Sequence, residues 1–517
     1  MKYTDVNPII KADFPDPSVI RVDDTYYMLS TTMHFFPGGV LLRSYDLINW
    51  EIINHVFDIL DDNANERLDF EEVNYGCGMW APSLRYKDGR FFASFISHKT
   101  EKTYIYTTTD ICGKWERRAV FDRCFYDSSL LLDDDGRNYI IYGNTNIYIH
   151  ELNSDLTAVK EDGLNRLLVT DTSEFHLGYE GTHAMKINGK YYLFFIHWPK
   201  TGFERRTEDC YVSDSLEGEF KGGEVFNDDM GFYNQGIAQG GLVDTPSGKW
   251  YAVLFRDNGA AGRIPVVVPV EFKDDFPVFG KNGKAVKNLD IASSRPYYHY
   301  EPVYSDDSLL HDGEGGNKPQ LKKCWEFNHR PKDNCWDMDS VKGYTITTDK
   351  LCVNLTHARN TLTQRCVYPK SEAIVTVDAT DIREGDVAGL CILQGAYGLI
   401  GITKETGEYY LVNVVKPIEK HMKEKSPVDY FPGVLADKVR IDGPTVKLCI
   451  RANFEELKDQ ADFFYEAGDR FVKLGKTHNL LFTLDHFTGA RFGMFMYSTK
   501  EFGGSASFKK FYFNVNS

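Results

Sequence analysis

One hairpin signature recurs five times in the first 300 residues of this 517-residue chain, and it leaves few folds open. A small or acidic turn is followed by a basic or polar residue and then aromatics. The copies are Asp24-Thr25-Tyr26-Tyr27, Gly89-Arg90-Phe91-Phe92, Gly136-Arg137-Asn138-Tyr139, Gly189-Lys190-Tyr191-Tyr192 and Gly248-Lys249-Trp250-Tyr251. Successive turns lie 65, 47, 53 and 59 residues apart. A short β run flanks each turn on both sides, which makes each a hairpin. Several are followed by a polar turn ending in an aromatic, as in Ser44-Tyr45-Asp46-Leu47-Ile48-Asn49-Trp50, suited to the outer strands of the same unit. Few segments carry a long 3.6-residue apolar period, so the chain reads as all-β. Five units of roughly 50 residues, each able to form four strands, predict a five-bladed β-propeller over residues 1–300. A β-sandwich with chance likeness among its hairpins is the competing arrangement.

Counting back from the turns aligns five residues. Nine positions before Gly89, Gly136, Gly189 and Gly248 stand Trp80, Asp127, Glu180 and Gln239, and eight before Asp24 stands Asp16. Each starts the first strand of its unit. In a propeller those strands line the central channel, so the five side chains converge at one end of the axis. Three carboxylates brought together away from water repel one another and shift each other's pKa, an arrangement that folds keep for a use. Asp16 and Asp127 lead into Pro17-Ser18-Val19-Ile20 and Ser128-Ser129-Leu130-Leu131-Leu132, which read as buried strand. Asp13, ahead of the turn-forming Pro15, and the turn acids Asp133, Asp134 and Asp135 are the poorer candidates.

Composition narrows the partners. A net charge of −16 disfavours nucleic acid and anionic membrane. The dense basic run from Lys416 to Lys425 is interrupted by acids and reads as a solvated loop. No stretch reaches about 18 apolar residues, so no spanning helix is expected. The opening MKYTDVNPII has no basic region leading into an apolar one, so a cytoplasmic location is expected. The ten cysteines stand singly, which predicts reduced thiols rather than disulfides or a zinc site. The 31 Tyr, 35 Phe and 7 Trp suit pleated surfaces first and sugar stacking second.

At the aligned residues the sequence resembles glycoside hydrolase family 43. The matching pieces run in order: Asn7-Pro8-Ile9, Phe14-Pro15-Asp16-Pro17-Ser18, Ser44 to Trp50, Trp80-Ala81-Pro82-Ser83, Tyr126-Asp127-Ser128, Glu180-Gly181-Thr182-His183 and Gly262-Arg263-Ile264-Pro265. The resemblance implies a propeller that hydrolyses glycosides with inversion, acting on α-L-arabinofuranosyl or β-D-xylosyl units of hemicellulose-derived oligosaccharides. It places the general base at Asp16, a pKa-adjusting and orienting acid at Asp127 and the general acid at Glu180. It makes Trp80 a wall for the sugar, puts Arg263 beside the acid pair where it would hold Asp127 ionised, and sets His34 and Phe36 in the loop that builds the pocket. It also implies calcium in the channel. Here Gln239 stands where many members carry histidine, and its carbonyl oxygen is the metal ligand expected.

The expected activity is an inverting exo-glycosidase releasing α-L-arabinofuranosyl units. A β-D-xylosidase, alone or combined with it, is the alternative, and a non-catalytic sugar-binding propeller the outside one. Residues 293–320 read as a linker ending in Gly313-Glu314-Gly315-Gly316. Beyond it, runs such as Glu372 to Asp378, Ala388 to Leu393 and Arg491 to Tyr497 predict a concanavalin-like β-sandwich over residues 320–517. Trp325, Phe327 and Trp336 are expected in its core. The sequence leaves a homo-oligomer open.

Overall fold

The computed structural model describes residues 5–69, 75–314, 317–418, 430–483 and 487–516. Five antiparallel sheets of four strands each occupy Ser18–Phe279. Their first strands are Ser18–Val22, Met79–Lys87, Ser129–Leu132, Phe175–Ile187 and Ile237–Asp244. These pack one on the next around a closed ring, the fifth against the first, and form the propeller channel. The tight turns follow from their residues. Asp88 and Gly89, and Asn188 and Gly189, all have positive φ, the type I′ geometry whose twist matches the flanking strands. In the polar turn before Trp50, the Asp46 carboxylate accepts from the main-chain N–H groups of Ile48 and Asn49, and the buried indole donates to Leu47 O.

Small side chains join the blades. Ser18, Ser83 and Ser129 each accept, through Oγ, the N–H of the next blade's Leu84, Leu130 and Ala184, at 2.9, 3.1 and 3.0 Å. The ring closes through the N-terminal segment. The Asn7 side chain donates to Val267 O and accepts from Val267 N, as a strand partner would, and Ile9 N donates to Pro265 O.

The second unit is a sandwich of two eight-stranded sheets. Lys370–Asp378 shows why it forms: every second residue, including Ala373, Val375 and Val377, is buried between the sheets. Trp325 and Phe327 lie in its core, with Trp336 packed against it. The other sheet takes its edge strand from the propeller, because Phe35–Phe36 pairs with Glu326–Asn328. Residues 293–309 therefore do not hang as a free linker. Ser294 N bonds Tyr45 O, the Tyr300 hydroxyl accepts from Tyr45 N, Tyr298 bonds Glu51, and Asp307 pairs with Phe511. The tyrosines that make this stretch look irregular are its anchors. Gly315 and Gly316 lie outside the described residues, as do residues 419–425 of the basic run, whose first member Lys416 is buried rather than solvated.

The two units share an ionic core. Glu326, wholly buried, takes Arg365 at 2.9 Å, Arg491 at 2.6 Å and His55 at 3.1 Å. Burial alone would raise its pKa, but the two guanidinium groups outweigh burial and hold it well below the usual range. Arg365 stacks over Phe14 and Arg491 over Phe35, so sandwich cations sit on propeller aromatics. All ten cysteines are unpaired. No helix among the described residues is long and apolar enough to cross a membrane.

Candidate active site

On or just ahead of each first strand stands a residue with left-handed backbone at the channel mouth. They are Asp16, Ala81, Asp127, Gly181 and Gln239, with φ of 53°, 41°, 47°, 63° and 57°. In the second, fourth and fifth blades the pairing register shifts at this point, which marks a bulge. The kink stops the ladder and re-aims the side chains into the channel. Asp16, Asp127 and Gln239 occupy the left-handed position, whereas Trp80 and Glu180 stand one residue ahead of it. The even count along the sequence merges these two positions. Gly181 is required twice over. Its φ is positive, and a Cβ there would stand 2.5 Å from the Gln239 side chain.

A cavity of about 430 Å³ opens at this end of the channel, lined by Asp16, Trp80, Asp127, Glu180, Gln239 and Arg263 among others. Asp16 is buried, and both its oxygens accept: Oδ1 from Arg263 Nη1 at 2.8 Å and Oδ2 from the Thr31 hydroxyl at 2.7 Å. The family resemblance places this arginine at Asp127, but the structure gives it to Asp16. Arg263 opens a strand of the fifth blade, and the fifth blade neighbours the first around the ring. Among the described residues, the Asp127 carboxylate accepts from one main-chain donor, Gly181 N at 3.2 Å. Burial, then the charges of Glu180 and Asp16, push its pKa well above the usual range against the pull of Arg263. Glu180 Oε2 accepts from Asn144 Nδ2 at 2.5 Å. Burial, with Asp16 adding, pushes Glu180 up to about 7 although Arg263 and Arg206 pull it down. The cavity therefore holds a carboxylate in an ion pair facing acids that retain a proton near neutrality.

The Trp80 indole lines the cavity, stacked on His98 at 4.2 Å, with Nε1 donating to Gly76 O. His34 and Phe36 do not line it. The sandwich captures their loop as an edge strand and turns it away. His34 is buried between Asn328 and Gly76, with Nε2 3.1 Å from Asn328 Oδ1 and Nδ1 accepting from Gly76 N. Phe36 packs edge-on against Phe57 between the blades. His34 thus supports the residue that holds the Trp80 indole.

Several lining or supporting groups carry no signal in the sequence. Asn144 comes from the third blade. Arg206 is buried behind Glu180 and shares Asp257 with Arg263. Phe487 comes from the sandwich, edge-on to Trp80 at 5.4 Å and under the Arg263 guanidinium at 4.0 Å. No motif surrounds Phe487, and only the docking of the two units brings it to the site.

The channel residues do not fit a calcium ion. Among the described residues, no group of three or more His, Cys, Asp or Glu side chains converges to hold a metal. Gln239 lies under the cavity with its N–H on buried Glu208. Further down, a second cavity of about 190 Å³ is lined by residues of all five first strands, including Arg85 and His183. The Arg85 guanidinium bonds Leu84 O, Leu130 O, Ala184 O and Ser129 Oγ, and has no ion pair among the described residues. Calcium seeks six to eight oxygen ligands and would meet an uncompensated cation there.

Comparison with known proteins agrees with this architecture. Residues 6–277 match the family model described as glycosyl hydrolases family 43, and residues 317–514 match the β-xylosidase C-terminal concanavalin A-like domain. A β-xylosidase of Formosa agariphila is 25% identical, over 97% of this chain and 88% of its own length. A non-reducing end α-L-arabinofuranosidase of Bacteroides ovatus is 25% identical, over 65% of this chain and 63% of its own. Among solved structures, a bifunctional GH43-CE protein of Bacteroides eggerthii superposes with a TM-score of 0.90 at 37% identity, covering all of this chain, which spans 64% of that longer protein. Five blades, a sandwich that completes the pocket and a matching model over most of the propeller lead to one assignment: the chain belongs to glycosyl hydrolases family 43.

Proposed function

We propose that this protein is an inverting exo-glycosidase that removes single pentosyl units, β-D-xylosyl or α-L-arabinofuranosyl, from hemicellulose-derived oligosaccharides. The observation that carries the reading is the division of labour among the acids. Asp16 is ion-paired with Arg263, while Glu180 keeps its proton to about pH 7. In the reaction Asp16 takes a proton from water as the water oxygen attacks the anomeric carbon. Glu180 gives its proton to the glycosidic oxygen as the carbon–oxygen bond breaks. Asp127 accepts or donates hydrogen bonds to the sugar hydroxyls. A cavity of about 430 Å³, walled by Trp80 and Phe487, favours a chain end over mid-chain attack.

The relatives' names weigh at least as much toward xylosides as toward arabinofuranosides. One structural neighbour, 27% identical with a TM-score of 0.86, is an engineered enzyme described as both endo-xylanase and exo-arabinofuranosidase. The unpaired thiols support a reducing compartment such as the cytoplasm.

The test compares leaving groups. Asp16→Asn should lower kcat by about 10²–10⁴-fold on both p-nitrophenyl pentosides and xylobiose. Glu180→Ala should do so on xylobiose but much less on the aryl substrates, because p-nitrophenolate leaves with little acid assistance. Equal losses on both substrates in Glu180→Ala would remove Glu180 as the acid, and no turnover of any pentoside by the unaltered protein would sink the reading. Proton NMR of the first-formed anomer tests inversion.

A further inference from the structure

Asp13 stands three residues ahead of Asp16, and nothing in the sequence distinguishes it from a turn acid. In the structure it is 3% exposed, and each of its oxygens takes a main-chain N–H from a different unit. Oδ1 accepts from Arg263 N at 2.8 Å and Oδ2 from Gly489 N at 2.9 Å. Arg263 is the cation paired with Asp16. Gly489 lies two residues beyond Phe487, the sandwich's wall of the cavity. Glycine closes the space on both sides. A Cβ at Gly262 would stand 2.2 Å from Asp13 Oδ1, and one at Gly489 would stand 2.6 Å from Asp13 Cβ. The main chain is fastened as well: Asp13 O accepts from Arg365 Nε at 2.8 Å, and Phe14 N donates to Arg263 O at 3.0 Å. A carboxylate with both oxygens committed in this way holds three segments in one register. They are the strand leading to the base, the strand carrying the arginine and the sandwich segment carrying the aromatic wall.

We propose that Asp13 is a positioning residue that locks Phe487 of the sandwich and Arg263 of the propeller into one sugar pocket, setting how tightly the terminal sugar is held without touching it. This rests on the reading of the cavity as the sugar site. Asparagine is the informative replacement. It keeps the shape, but its amide nitrogen donates, so one of the two N–H groups loses its acceptor.

In full-length Asp13→Asn, KM for a p-nitrophenyl pentoside should rise about tenfold, with a smaller change in kcat. In a Phe487→Ala background the same substitution should add little to KM, because both changes release the same wall. Amide hydrogen exchange should quicken in the peptides holding Arg263 and Gly489, whether or not any substrate turns over. An unchanged KM with reduced apparent kcat would mean a merely destabilised protein and would overturn the proposal. So would KM effects that multiply independently in the double variant, or unaltered exchange at both amides. Loss of all pentoside activity in the unaltered protein would instead remove the functional reading, and the exchange experiment would still decide the lock.

Discussion

The proton on Glu180 is where chemistry and stability meet at the scale of one residue. Its pKa rises from the ordinary carboxylate value to about 7, chiefly because it is buried. Between those values the folded protein holds a proton that the unfolded chain has released. That stabilising contribution is complete below the unfolded pKa of 4.5 and is lost as pH rises through about 7. Activity should follow the same proton, with kcat/KM falling above about pH 7. Glu180→Gln removes the titration. It should hydrolyse poor leaving groups very slowly, yet melt higher than the unaltered protein at pH 8, with the gap closing as pH falls toward 4.5. Glu66 and Asp209 are also pushed up to about 7, but they are present in both proteins and cancel in the comparison. A gap in melting temperature that does not vary with pH would contradict this account. That a carboxylate would stand at this end of the channel was legible in the sequence because its position repeats. Its partners were not: Asn144, Arg206 and Asp257 reach it from other strands at spacings that follow no period.

At the scale of the element, the first strand of the fourth blade shows how a bulge aims the proposed acid. Phe175–Ile187 runs well beyond the other first strands, and its register shifts between Glu180 and His183. The shift puts Gly181 in left-handed backbone, donates its N–H to Asp127 and turns Glu180 toward Asn144. Gly181→Ala should therefore harm function more than fold. An alanine there pays about 1–2 kcal/mol for the backbone and meets Gln239. We expect a Tm lower by a few degrees and kcat lower by at least about tenfold, because both acids shift. Thermal melts and steady-state kinetics on the same preparation check this. A sequence count shows that the blades repeat, but the first hairpin turn has two residues in the first, second and fourth blades and five in the third and fifth. Counting back from the turn therefore lands on the left-handed position at Asp16, Asp127 and Gln239 and one residue ahead of it at Trp80 and Glu180. The loop at Met33–Phe36 fails for a different reason. Its place after a propeller strand suggested a pocket wall, whereas its main chain found a partner in the other sheet and turned His34 and Phe36 inward.

The whole molecule is one catalytic unit made from two folding patterns. Phe35–Phe36 extends a sandwich sheet, Phe487 walls a propeller cavity, and Glu326 gathers two sandwich arginines and a propeller histidine in the joint. Glu326→Gln would leave Arg365 and Arg491 buried without the carboxylate that both are paired with. The expected cost is roughly 3–5 kcal/mol, read as a lower denaturant midpoint, with unfolding detected at both units together. Independent unfolding of the propeller at its original midpoint would show that the joint is not shared.

By itself the sequence determined the blade repeat, the three acids at the mouth of the channel and the sandwich that follows. Those features are local, written in turn chemistry, alternation and equal spacing along one strand after another. Only the tertiary structure decided that Arg263 serves Asp16, that His34 and Phe36 are buried supports, that the Arg85 guanidinium stands in the channel, and that the sandwich lends its aromatic to the pocket. Each of these depends on which strands become neighbours when the ring closes and the second unit docks, and sequence spacing carries no record of that adjacency.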